Sequence, residues 1–62
     1  MEFNQKINDK IARLEQEIIK YNRILAYTPK YDTIKREKYE LLINNREQAI
    51  TELKEIKNEN KQ

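Results

Sequence analysis

Ile7, Ile11, Leu14, Ile18, Tyr21 and Leu25 follow one another at intervals of four, three, four, three and four residues, without exception. At about 100° per residue, all six fall within roughly 40° of Ile7, the narrow seam of a helix that packs lengthwise against another helix. The seam ends at Tyr27-Thr28-Pro29-Lys30-Tyr31-Asp32, which holds the chain's one proline. Pro29 has no N–H and disfavours the helical conformation at Thr28, so the first helix stops there. With no glycine anywhere in the chain, this is the one strong breaker. The spacing predicts a first helix over about 5–27, N-capped by Asn4 or by Asn8.

Beyond the proline the pattern is helical again, over about 29–58, with a polar tail at 58–62 expected to fray. Two starts are open to it. Thr28 as N-cap with Pro29 in the first helical position is preferred; the other is a turn through Pro29 to Tyr31 followed by Asp32 as N-cap. The best seam runs Tyr39, Leu42, Arg46, Ala49, Leu53, Ile56, flanked by Ile43 and Ile50 on one side and by Ile34 and Leu41 on the other. Such an arc is wider than the roughly 100° that one neighbour covers.

Two helices joined by a short connection fold back antiparallel. Folding the chain about Lys30 sets Tyr21 opposite Tyr39, Ile18 opposite Leu42, Leu14 opposite Arg46, Ile11 opposite Ala49 and Ile7 opposite Leu53. The two seams coincide without adjustment. Arg46 reads either as a polar layer that sets register or as a flank residue with its head in water. One helix running straight through Pro29 into an extended coiled coil is the competing architecture, resisted by the residue before proline.

The expected fold is therefore all-α, an antiparallel two-helix hairpin forming a single domain over 1–62. A chain this short buries only about 60% of its unfolded surface and needs help from disulfides, metals or self-association. Cysteine and histidine are absent, which leaves self-association. The residues left over for it are Ile19, Ile24, Ile34, Leu41, Ile43 and Ile50. Each such side chain is worth about 1.5–3 kcal/mol when buried. The simplest outcome is two hairpins in a four-helix bundle, a homodimer, with parallel and antiparallel arrangements both open. The same surplus could instead dock another protein.

Several kinds of chemistry are ruled out by what the chain lacks. Without Ser, Cys or His there is no hydroxyl or thiol triad and no near-neutral base. Without glycine there is no P-loop and no dinucleotide fingerprint. Glu37 with Glu40, and Glu52 with Glu55, are three apart among lysines, as solvated helix faces are, and no calcium-loop spacing occurs. No enzyme, cofactor, metal or small-molecule substrate is expected. No apolar run approaches the roughly 18 residues of a membrane span, and no signal-peptide core follows Met1, so a cytoplasmic protein is expected. Ile, Lys and Asn together supply 25 of 62 residues, the usage of an AT-rich bacterial, phage or plasmid gene.

Charge supplies the remaining signal. Residues 20–38 hold six cations against two anions, a net of +4, whereas 1–19 and 39–62 each carry a net of −1. All four tyrosines, Tyr21, Tyr27, Tyr31 and Tyr39, lie in or beside that basic segment. The candidate partner-binding tip is Lys20, Arg23, Tyr27, Lys30, Tyr31, Lys35, Arg36 and Lys38. Tyrosine and arginine are the usual anchors of protein interfaces. Cations with tyrosines can also neutralise phosphates and stack on bases. The expectation is a small non-catalytic helical interaction protein, a regulator, inhibitor or adaptor that binds a protein partner. A nucleic-acid-binding hairpin dimer and a structural coiled-coil scaffold are the alternatives. A bare covering for the exposed end of the bundle explains the tip equally simply.

Overall fold

The computed structural model describes the backbone of residues 2–59 and the side chains of 4–59. Two helices make up the chain, α1 (Glu2–Tyr27) and α2 (Thr33–Glu59), packed against each other as a hairpin. The result is a rod of 49 × 15 × 10 Å, one helix pair thick.

α1 begins at Glu2, earlier than expected, so Asn4 and Asn8 lie inside the helix and neither caps it. Asn8 works across the hairpin instead, accepting a hydrogen bond of 2.7 Å from Lys57 Nζ near the open end. α2 runs through Glu59; the rest of the expected frayed tail, 60–62, lies outside the described residues.

α2 also starts later than the preferred reading placed it. Asp32, not Thr28, is the N-cap, its Oδ1 accepting from the Lys35 N–H at 3.3 Å. Thr28 is committed backwards: its hydroxyl donates to the Ile24 carbonyl at 2.6 Å and its N–H to Leu25 at 3.1 Å. A hydroxyl that closes the last turn of one helix is not free to cap the next. Pro29 opens a turn in which its carbonyl, the one backbone hydrogen-bonding group it has, accepts from the Asp32 N–H at 3.1 Å. Among the described residues none has a positive φ, which is how a chain without glycine makes this reversal.

The core consists of Ile7, Ile11 and Ile50, with Leu14, Ile18 and Leu53 packed against them. Tyr21 meets Tyr39 as the register requires, ring centroids 5.6 Å apart and tilted by 45°. The expected seam of α2 is corrected by rotation. Ile43 and Ile50, assigned to the open flank, are each only 9% exposed, whereas Ile56, assigned to the seam, is 41% exposed. Turning α2 by roughly 50°, at 100° per residue, brings Ile43 and Ile50 inward in place of Ala49 and Ile56. The preference follows from the gain of burying two branched apolar side chains.

Arg46 stays at seam spacing between the two isoleucines, half-buried, with its charged head turned to α1. Its Nε donates to Glu17 Oε1 at 2.9 Å, and its guanidinium lies 5.5 Å from the Tyr21 ring centroid. The hydrogen bond with Glu17, and the neighbouring Tyr21, keep it more firmly protonated than an ordinary arginine, against a smaller opposing effect of burial.

Candidate functional site

The basic segment becomes the closed end of the rod, where Tyr27 and Tyr31 are among the most exposed side chains, at 89% and 86%. Lys20, Arg23, Lys30, Lys35 and Lys38 are exposed as well. On α1, Lys20, Arg23 and Tyr27 recur at three and four residues, so they share one outward stripe. Lys30 and Tyr31 occupy the turn. Lys38 rests its ammonium 5.8 Å from the Tyr39 ring centroid, within cation–π range.

Arg36 is different from the rest of this set. Half-buried, it donates through Nη1 to the carbonyls of Leu25 at 3.2 Å and Thr28 at 3.1 Å. The last carbonyls of a helix have no partner within it, and a cation there satisfies them while complementing the negative end of the helix dipole. Arg36 therefore ties the first turn of α2 to the last turn of α1 and holds the tip in shape. A cation one turn past a helix break was the legible signal for this role. The sequence pattern alone left it grouped with the exposed lysines.

The self-association set is divided by the fold. Ile43 and Ile50 are buried inside the hairpin, while Ile34 at 83%, Leu41 at 61% and Ile19 at 47% remain exposed, with Ile24 half-buried. These survivors do not share a face. Ile34 and Leu41 lie along the outer side of α2; Ile19 lies on the opposite broad face of the rod, at about 100° per residue. The half-buried Leu14, Ile24, Leu42, Ala49 and Leu53 all fall on one broad face. There a shallow groove between the helices is lined by Lys10, Leu14, Ala49, Glu52, Leu53 and Ile56.

Among the described residues, no cluster of three or more carboxylates is arranged to hold a metal ion. No described helix is long and apolar enough to cross a membrane. What the tip and the face offer chemically is a display of charge, aromatic rings and apolar surface. No family model, curated protein or solved structure matches this chain.

Proposed function

We propose that this chain is a small non-catalytic interaction protein, a regulator, inhibitor or adaptor. In this reading it self-associates into a four-helix bundle and binds an acidic patch on a protein partner through the hairpin tip. The observation that carries the reading is the pair of exposed tyrosines, Tyr27 and Tyr31, held among exposed Lys20, Arg23, Lys30 and Lys35. A large aromatic ring at near-full exposure gains nothing for the hairpin, but it brings contact area to an interface at little entropic cost. Arg36 supports the same reading, because a surface held in shape by hydrogen bonds loses less freedom on binding. Self-association is supported by the thinness of the rod, in which no described side chain is fully shielded from solvent.

The test is a pull-down from the source cell with the wild-type chain beside the variant Tyr27→Ala/Tyr31→Ala/Lys30→Glu/Lys35→Glu. These exposed positions leave the core untouched, so both baits fold. A protein retained by the first and lost by the second supports the reading. Identical protein sets on the two baits sink it. Nuclease-sensitive RNA or DNA, retained by the wild type with a steep salt dependence, would assign the tip to nucleic acid instead.

A further inference from the structure

The outer side of α2 carries a self-complementary pattern. Centred on Asn45, the residues at four positions either side are Leu41 and Ala49. At seven they are Lys38 and Glu52; at eleven, Ile34 and Ile56. Offsets of four, seven and eleven keep all seven side chains on one helix stripe, at about 100° per residue. It is turned roughly 120° from the stripe that faces α1, so a second helix can lie against it without displacing α1. Ile34, Lys38, Leu41, Asn45, Glu52 and Ile56 are exposed, and Ala49 is half-buried.

The stripe is symmetric in apolar character and antisymmetric in charge about its own midpoint. That is the requirement for a surface that binds itself across a two-fold axis, where each residue meets the one at the opposite offset. We propose that a second copy of this chain docks here in antiparallel orientation, α2 against α2, with the axis at Asn45. Ile34 then packs on Ile56 of the second copy, Leu41 on its Ala49, and Lys38 faces its Glu52, each contact made twice. The two Asn45 amides meet on the axis, where a paired asparagine fixes register.

This inference rests on the self-association reading and adds its geometry. The opposite orientation is disfavoured by charge. Running the same two stripes parallel sets Lys38 against Lys38 and Glu52 against Glu52. A parallel pair of hairpins with α2 over α1 sets Lys38 level with Lys20 and Arg23 and brings two +4 tips together. The antiparallel pair instead lays each basic tip beside the partner's open end, where both flanking segments carry net negative charge. Leu14, Ile24, Leu42 and Leu53 become the interior between the two hairpins. The assembly holds its two tips about 40 Å apart, at 1.5 Å per residue over some 27 residues, so it engages two partners or two sites on one.

The deciding experiment is a charge swap read by analytical ultracentrifugation of the full chain, with circular dichroism confirming that each variant stays helical. Lys38→Glu and Glu52→Lys are each expected to weaken the dimer roughly tenfold, since each replaces two opposite-charge contacts by two like-charge ones. The double variant Lys38→Glu/Glu52→Lys is expected to recover wild-type affinity. A dimer strengthened by Lys38→Glu, or one indifferent to all three variants, overturns this arrangement and leaves self-association standing. A wild-type chain that stays monomeric at tens of micromolar removes both. As an independent arm, Asn45→Cys introduces the only thiol in the chain. Mild oxidation should link it to its own copy in high yield, while Lys38→Cys should not self-link; the reverse result also overturns the proposal.

Discussion

α1 and α2 differ by one residue in length, 26 against 27, yet they make unequal use of their surfaces. α1 gathers its apolar residues into one narrow seam, outside which its branched aliphatic residues are only Ile19 and Ile24. α2 spreads its apolar residues over an arc that one neighbour cannot cover, and the hairpin takes only part of it. The comparison teaches that a helix with a strict heptad seam is satisfied by one partner. A broad-faced helix of equal length leaves a second contact surface on the molecule. It also shows which helix decides the packing. α1 has no alternative inward face, so α2 rotates until Ile43 and Ile50 are buried.

The largest expected effect attacks the face the two helices share. Ile50→Ala should cost about 2–4 kcal/mol of unfolding free energy in denaturant titrations, a transfer term plus the cavity left behind. Should it cost no more than a surface change, the rotation of α2 is wrong. Next comes the joint between the helices. Arg36→Ala removes two hydrogen bonds from a charged donor to the end of α1, and should cost about 1–2 kcal/mol. It should also speed amide exchange around the turn. If the lysine variant holds the turn equally well, the forked geometry of the guanidinium is not what matters there.

A smaller effect is expected at the cross-helix ion pair, where both side chains are partly solvated. Glu17→Gln should lower the melting temperature slightly, and the loss should shrink as salt is added. Because the pKa of Arg46 is raised in the folded chain, its contribution is complete below the ordinary arginine value and fades only as pH climbs through the raised one. Stability should therefore show no loss through Arg46 anywhere in the neutral range. The smallest effect is the sharpest for the comparison. Ile19→Asp, on the face of α1 turned away from the groove, should alter hairpin stability by less than about 0.5 kcal/mol. It should leave sedimentation unchanged, whereas Leu41→Asp on α2 should dissociate the proposed dimer. A dimer broken by Ile19→Asp would show that α1, too, needs a second neighbour.

Much of the candidate site is legible in the sequence, because exposure at a hairpin tip follows from where the chain reverses. Lys30, Tyr31 and Tyr27 are within two residues of Pro29 and can hardly be elsewhere. Arg36 was not separable from Lys35 or Lys38 by composition or charge. Its role depends on the last carbonyls of α1 lying within reach, a contact spanning eleven residues to Leu25 and eight to Thr28. Arg46 was recognised as the odd residue of its seam. Its partner Glu17 is 29 residues away and on a position that helix periodicity alone marks only as a flank.

Periodicity and one proline were enough to determine two helices, their antiparallel return and the meeting of Tyr21 with Tyr39. Each of these depends on local backbone preference or on counting equal rises along two rods from a common turn. The tertiary structure decided the rotation of α2 about its own axis, the start of that helix at Thr33 behind the Asp32 cap, and the employment of Thr28, Arg36 and Arg46. The reason is physical. Position along a helix is set by the chain itself, whereas the face a broad-arced helix buries, and the partner a long polar side chain chooses, are settled only by competition among groups that the fold has brought together.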